Sequence, residues 1–270
     1  MSTDEFKVMR WHGGFDGPWG EAAVERYRRG GFDGLSLVPG ADWAPRSLEF
    51  VRDLPGLRYL SLTARVSDDL EAFRIEGLED LTLVTGSRRR VPETVQPRLR
   101  ALCLTDRPGV DVASRFPRLE RLRVGTWRGT DLEMICGAEH LTSVYLEGRR
   151  QTGTLAGAES CPAVEEFVSI NYSVADSLPL RSLNGLREVK LLAASPTAPH
   201  GIIRFSDIAS PNLVKVWISN PTVLEGFDIL KELPRLREVR LVECRLSDAE
   251  LQALNSLSGK VDVRIVDPKE

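Results

Sequence analysis

The stretch that decides the fold is Leu57-Arg-Tyr-Leu60-Ser-Leu62, because its spacing of apolar residues returns along almost the whole chain. The first five copies start 20 to 22 residues apart. Self-similarity at this period is typical of a solenoid, in which each repeat forms one coil. The further copies begin at Leu78, Leu99, Leu119, Leu141, Leu186, Leu213 and Leu236.

Each copy predicts one short strand, since its last two apolar residues alternate and so point to one side. One strand cannot bury that row alone, but stacked coils form a parallel sheet over a continuous core. The pattern resembles the leucine-rich repeat family from about Phe32 to Val266. The resemblance implies an α/β solenoid, with a curved parallel sheet on the concave face and short helices or irregular segments on the convex face.

We expect residues 1–31 to form an N-terminal cap, with an edge strand at Phe6–Trp11 and a short helix at 20–29. Residues 32–270 would then form the solenoid, with about eleven strands and no separate C-terminal cap. The last strand, near Lys260–Ile265, would present an edge, and pairing of two such edges is a hypothesis for a weak homodimer.

Composition narrows the class of protein. The chain has 270 residues and a net charge of -3, so the whole-chain charge of a dedicated nucleic-acid binder is missing. The sequence shows no signal peptide and no apolar run approaching the ~20 residues of a membrane helix. Four scattered cysteines without metal-ligand spacing suit reduced thiols, so we predict a cytoplasmic protein with no membrane partner. Only six of the 36 basic residues are lysine, and this excess of arginine is typical of a GC-rich genome, which predicts a bacterial protein.

Several local features depart from a uniform repeat. The pairs Thr130/Glu133, Thr222/Glu225 and Ser247/Glu250 match the capping box that starts a helix. Residues 196–204 are interpreted as an insertion. In the coil around 165–170 we expect Val168 and Ile170 to face inward and Phe167 outward, although a one-residue shift would exchange the two faces. The asparagine that often follows the strand in this family is missing, so other groups must hold the turns.

No constellation in the sequence supports catalysis or a cofactor. The three histidines, His12, His140 and His200, lie far apart, and none is at helical spacing from a second metal ligand. Glycine-rich stretches lack the phosphate-loop lysine and the dinucleotide spacing. We therefore predict no enzyme activity, no cofactor and no metal.

The strand residues that point away from the core predict a binding surface. Aromatic residues and arginine dominate interface hot spots, because they bury much area at low entropic cost. The alternative is that these residues are ordinary exposed strand residues. The predicted protein-binding residues of the concave face are Arg121, Arg123, Tyr145, Phe167, Lys190, Lys215, Trp217 and Arg240.

A second set consists of arginines in the turns after the early strands. Because they occupy nearly equivalent phases of the repeat, stacking should align them along one basic rim that attracts acidic partners. A solvated loop edge is an equally good interpretation. The rim residues are Arg65, Arg88, Arg89, Arg90, Arg107, Arg128, Arg149 and Arg150.

The sequence thus predicts a scaffold that binds another protein on its concave face, as an inhibitor, an immunity-type protein or an adaptor. The alternative is a binder of nucleic acid or another acidic ligand through the arginine rim. An enzyme ranks third, because no nucleophile, base and orienting group occur together.

Overall fold

The computed structural model describes residues 5–40, 43, 45–193 and 198–266, and of residues 149–151 only the backbone. The chain divides into two compact units, Met1–Gly125 and Thr126–Glu270. Within the described residues each unit carries one main parallel sheet of six strands. The sixth strand of the first unit continues two residues into the second.

The first unit stacks its strands in sequence order, each parallel to the next. The register places Leu35 beside Leu60, Leu60 beside Leu81 and Leu81 beside Leu102, so equivalent leucines form a column. All four are buried, which is the core that the repeat predicts. The strands are β1 Val8–His12, β2 Gly34–Val38, β3 Tyr59–Ala64, β4 Asp80–Thr85, β5 Ala101–Thr105 and β6 Arg121–Trp127.

Short helical segments return the chain between the strands of this unit. The longest, α2, buries Ala23 and Tyr27 and ends at Gly31, whose left-handed φ of 58° favours glycine. β1 and α2 lie in the stretch assigned above to an N-terminal cap. The segments are α1 Gly13–Asp16, α2 Glu21–Gly30, α3 Val112–Arg115 and the 3₁₀ helices Glu49–Asp53 and Leu70–Arg74.

The second unit repeats the architecture but contains an additional pair of strands. Its six-stranded sheet has the order β7-β8-β9-β11-β13-β14, and β10 and β12 form a separate two-stranded parallel sheet. The strands are β7 Ser143–Gly153, β8 Glu166–Val174, β9 Glu188–Leu192, β10 His200–Arg204, β11 Lys215–Ser219, β12 Pro221–Glu225, β13 Glu238–Val242 and β14 Asp262–Val266. The helices are α4 Phe205–Ile208, α5 Asp248–Asn255 and the 3₁₀ helices Glu133–Ile135, Ala158–Ser160, Leu178–Ser182 and Phe227–Glu232.

The insertion predicted at residues 196–204 ends in strand β10. This strand explains why the helix start predicted at Thr222 is wrong. Residues 194–197, at the start of the insertion, lie outside the described residues. β10 pairs with β12, so Thr222 and Glu225 lie in a strand rather than in a capping box. Here a non-local strand partner overrides a local helix signal.

The other two predicted capping boxes have different outcomes. The capping box predicted at Thr130 is wrong. The segment there is a 3₁₀ helix whose N-cap residue is Leu132, and the Leu132 side chain does not cap it. The Ser247 box is confirmed at the start of α5. The Ser247 hydroxyl accepts a hydrogen bond from the Glu250 N–H at 3.4 Å, and the Glu250 carboxylate accepts one from the Ser247 N–H at 2.7 Å.

Buried polar side chains hold the turns in place of an asparagine row. In the first unit Arg107 donates to both oxygens of Asp69, at 2.7 and 2.9 Å, and both side chains are fully buried. Thr85, at the end of β4, donates to the same carboxylate at 2.6 Å. In the second unit the His200 Nδ1 accepts from the Val174 N–H at 3.0 Å. These contacts join turns of different coils.

Candidate functional site

The candidate site is the outer face of the sheet in the second unit, meaning the face that points away from the buried leucines. The strand register defines a central row of side chains across this face, since each member pairs directly with the next. Neighbouring strands lie about 4.8 Å apart, so the row is continuous. The central row is Tyr145, Val168, Lys190, Trp217, Arg240 and Arg264.

Two further rows flank it. On the side where the strands begin, the row is mostly acidic: Ser143, Glu166, Glu188, Lys215, Glu238 and Asp262. On the side where the strands end, it is mostly aliphatic: Glu147, Ile170, Leu192, Ser219, Val242 and Val266. The outer face therefore changes from charged to apolar along the strand direction.

Trp217 lies in the middle of the central row, between Lys190 and Arg240. It is half-buried, and the Arg240 guanidinium carbon lies 5.0 Å from the centre of its ring. A guanidinium at that distance is attracted to the negative face of the ring. The Trp217 indole N–H is buried and has no hydrogen-bond acceptor among the described residues.

Ion pairs neutralise the cations of this face. Arg240 Nε lies 2.6 Å from a Glu238 carboxylate oxygen, and Lys215 Nζ lies 3.4 Å from the other oxygen of the same group. Lys190 pairs with Glu188 in the same way, two residues back along its strand. The central row and the row where the strands begin contain together four acidic and four basic side chains. The predicted arginine and lysine surface is thus a surface of mixed charge.

Phe167 does not belong to this face, and the predicted register of its coil is wrong by one residue. Phe167 pairs with the core residues Val144 and Val189 and is 1% exposed. Val168 takes the position of the central row in the strand register, although its side chain is only 3% exposed. Ser169 faces the core, which is tolerated because its hydroxyl donates to the Tyr172 carbonyl at 2.7 Å.

Arg121 and Arg123 lie on the outer face of the first unit's sheet, on β6. Both are exposed. Arg121 lies 3.7 Å from the carboxylate of Asp80 on β4. Burial raises the pKa of Asp80, and the positive charge of Arg121 opposes that shift. Arg121 therefore stands beside a carboxylate that holds its proton more readily than usual.

The predicted basic rim is incomplete. The prediction that Arg107 belongs to the rim is wrong, because its side chain is buried against Asp69 and exposes no charge. Arg65, Arg88, Arg89 and Arg90 are exposed in the first unit, and Arg89 pairs with Asp68 at 3.3 Å. Arg128 is exposed in the second unit, whereas the side chains of Arg149 and Arg150 lie outside the described residues.

Metal ligands, membrane-spanning helices and reactive thiols are the other features that could carry a function in the described part of the chain. No three His, Cys, Asp or Glu side chains in it are grouped to hold a metal ion. In the same residues, no helix has the length and apolar character to cross a membrane. Burial raises the pKa of the Cys161 thiol to about 11 and that of Cys244 to about 12, so both thiols are poor nucleophiles at neutral pH.

Comparison with known proteins identifies the architecture. No protein-family model and no curated protein matches the chain. Among solved structures, the internalin InlF of Listeria monocytogenes superimposes with a TM-score of 0.59 at 18% identity, over 79% of this chain and 62% of that one. A leucine-rich repeat protein of Leptospira interrogans gives a TM-score of 0.56 at 14% identity, over 89% of this chain and 62% of that one.

The chain has the leucine-rich repeat fold. Internalin C2 of L. monocytogenes also matches, with a TM-score of 0.50 at 17% identity, over 80% of this chain and 83% of that one. The chain spans about 62% of the length of InlF and of the Leptospira protein. At these identities the likeness concerns the leucine-rich repeat fold alone, which hosts many functions.

Proposed function

We propose that this leucine-rich repeat protein is a non-enzymatic, cytoplasmic scaffold that binds a partner protein on the outer face of the second unit. The observation that carries the proposal is Trp217. A half-buried tryptophan whose N–H has no acceptor contributes less to folding than a satisfied one, because buried indole N–H groups usually find a partner. Its position between two cations suits recognition rather than packing.

The rest of the outer face supports the same role. Tyr145 supplies a second aromatic side chain in the central row, and the aliphatic row supplies apolar area beside it. The ion pairs involving Lys190, Arg240 and Arg264 fix long side chains before contact, so less entropy is lost on binding. Inhibitor, immunity-type and adaptor proteins all need such a preorganised surface.

The kind of partner follows from the charge. The mixed charges of the outer face favour a partner whose own surface alternates acidic and basic groups, with an apolar or aromatic centre that covers Trp217. A uniformly acidic partner would meet the acidic row that begins the strands, including Glu188 and Glu238. Arg121 and Arg123 would form a separate contact on the first unit.

The direct test places a photo-cross-linking amino acid at Glu166 on the outer face and, as a control, at Arg98, which is exposed but lies outside the strands. A partner that cross-links from position 166 and not from position 98 is then purified. We expect Trp217→Ala to weaken its binding by about 2 kcal/mol, the size of a hot-spot loss.

The matched control is Phe15→Ala, which removes an aromatic side chain that is 95% exposed. It should leave the affinity unchanged. If Trp217→Ala and Tyr145→Ala both bind the partner like the wild type, the outer face is not the binding site. Cross-linking from position 98 alone would lead to the same conclusion.

A second candidate function is the binding of an acidic ligand or nucleic acid by the exposed rim arginines of the first unit. Arg65, Arg88 and Arg90 favour it, because they have no ion-pair partner within the described residues. Each phosphate contact should add about 0.7 to 0.9 to the slope of log affinity against log salt. A flat salt dependence, or unchanged binding by an Arg65→Ala/Arg88→Ala/Arg90→Ala variant, excludes the rim.

The weak homodimer remains a proposal based on β14. Within the described residues this strand pairs only with β13, on one side. Antiparallel pairing of two copies centred on Val263 would set Asp262 of each copy opposite Arg264 of the other, which is a favourable cross-strand pair. Light scattering at high concentration tests it, and a monomer mass there removes the hypothesis.

A further inference from the structure

A groove in the first unit has the composition of a cation site. It lies between α2 and the 3₁₀ helix Glu49–Asp53, is open to solvent, and has a volume of about 750 Å³. Its lining includes Trp19, Phe50, Glu21, Glu25, Arg28 and Asp53. That volume falls within the range of small-ligand pockets. The proposed function makes no use of this groove.

The aromatic side chains of the groove belong to a stack. The ring centres of Trp19 and Phe50 are 5.1 Å apart, and those of Trp19 and Trp11 are 5.3 Å apart. Trp19 and Phe50 are half-buried, so part of each ring faces the groove. The Trp19 N–H is buried and lacks an acceptor in the described parts of the chain, so no hydrogen bond from the indole fixes this ring there.

The charge of the groove is unbalanced toward the negative. Its ionisable side chains are three carboxylates and one guanidinium. Glu25 pairs with Arg29 at 2.7 Å, whereas Glu21 and Asp53 have no ion-pair partner among the residues described. Two unmatched carboxylates beside two aromatic rings complement a cation, because the rings attract it by their faces and the carboxylates by their charge.

The same stack already accepts a guanidinium from within the chain. The Arg26 guanidinium carbon lies 5.8 Å from the ring centre of Trp11, which packs edge-on against Trp19. This intramolecular contact shows the geometry that a second guanidinium could adopt on Trp19. Arg28 is seven residues from Glu21 along α2, or about 10 Å, so these two opposite charges of the groove lie apart.

We propose that this groove binds an arginine side chain presented by a basic segment of a partner protein. Guanidinium fits better than ammonium, because its plane stacks on the rings while its N–H groups donate in a fork to a carboxylate. Glu21 or Asp53 would accept that fork. The groove is larger than one arginine side chain, which leaves space for the neighbouring residues of the segment.

The probes are N-acetylated, C-amidated peptides of four arginines, four lysines or four glutamates, together with N-acetyl-arginine amide as the free side chain. Binding to the full chain is measured by calorimetry and tryptophan fluorescence at 0.15 M salt, where long-range attraction is largely screened. We expect the arginine peptide to bind tighter than the lysine peptide, and the glutamate peptide not to bind. The single arginine should bind more weakly than the peptide, since a segment fills more of the groove.

The variant Glu21→Gln/Asp53→Asn removes both unmatched charges without changing side-chain size, and should weaken the arginine peptide about tenfold. Its control, Glu49→Gln/Glu232→Gln, changes the net charge equally at exposed sites outside the groove. Trp19→Leu should also lose about tenfold, whereas Trp19→Phe keeps a ring and should retain most of the affinity.

The proposal is overturned if the groove double variant and its control bind the arginine peptide equally, or if Trp19→Phe loses as much affinity as Trp19→Leu. Equal binding of the glutamate peptide would also overturn it. Circular dichroism of each variant shows that it is folded before its affinity is compared. These residues are separate from Trp217 and Tyr145, so the outcome is independent of the outer-face test.

Discussion

Replacing Arg107 by methionine should lower the free energy of unfolding, because it leaves the buried Asp69 carboxylate without its cationic partner. Arg107 is fully buried, donates twice to Asp69, and lies with its guanidinium carbon 5.8 Å from the ring centre of Phe73. Methionine keeps much of the side-chain volume but leaves a buried carboxylate that keeps only the hydroxyl hydrogen bonds from Thr85 and Ser87. Breaking a buried pair in this way costs about 3 to 5 kcal/mol, a large part of the stability of an ordinary domain.

The pH dependence of the change makes the prediction specific. In the wild type, burial favours a higher pKa for Asp69, but the hydrogen bonds from Arg107, Thr85 and Ser87 and the positive charge of Arg107 together lower it. A carboxyl with a lowered folded pKa stabilises the protein above its unfolded pKa, and this contribution is lost as the pH falls through the folded pKa.

In Arg107→Met only the hydroxyl hydrogen bonds from Thr85 and Ser87 still oppose burial, so the folded pKa of Asp69 should rise above the unfolded value. The pH dependence of the Asp69 contribution then reverses. In the variant this contribution to stability is greatest below the unfolded pKa and is lost as the pH rises through the folded pKa. The variant should therefore be more destabilised at pH 7.5 than at pH 4.5.

Urea unfolding of the wild type and the variant at both pH values measures the effect. The variant Asp69→Leu/Arg107→Met is the control, because it removes both charges and should recover most of the lost stability. A cost below about 1 kcal/mol for Arg107→Met, or one that is equal at both pH values, would refute the reasoning about a desolvated carboxylate.

Three further predictions concern other buried groups. Phe167→Ala should cost about 3 to 5 kcal/mol in urea unfolding, because Phe167 lies in the core, and a cost below about 1 kcal/mol would contradict the corrected register. His200 has its pKa lowered to about 4 by burial, so stability should fall by roughly 3 kcal/mol as the pH drops from about 6.5 to 4, and His200→Gln should flatten that part of the titration. Cys161 and Cys244, whose thiols are buried, should resist an aromatic disulfide reagent at pH 8 until denaturant is added, and rapid labelling of all four cysteines in the native protein would contradict this.

The repeat spacing was sufficient to predict the fold, because the coil is a local pattern. A strand with two alternating leucines can bury them only against the next coil, so the parallel, in-order stacking of β2 to β5 follows from the sequence. Tyr145 and Trp217 were placed on the outer face by the same alternation.

The wrong register at Phe167 arose where the local pattern is ambiguous. The predicted alignment of residues 165–170 turns Val168 and Ile170 inward, whereas the observed one turns Phe167 and Ser169 inward. A serine in a leucine position argued against the observed alignment. The useful signal was Val164, which takes the first apolar position of the coil and is buried. Counting from it places Phe167 and Ser169 inward.

Arg107 was misplaced because its environment depends on distant residues. It shares its repeat phase with exposed arginines, and nothing near it in sequence is buried and acidic. Its partner Asp69 lies 38 residues earlier. The capping-box signal at Thr222 failed for a comparable reason, since the strand that pairs with those residues comes from β10.

The Asp69–Arg107 pair also restricts how this gene can change length. Tandem repeats readily gain or lose one unit by unequal recombination, provided that every unit is equivalent to its neighbours. Here the carboxylate follows β3 and the guanidinium follows β5, so loss of the intervening β4 unit would remove the Thr85 donor and shift the two charges out of register. Lineages that retain this pair should therefore keep a fixed number of units between the two residues.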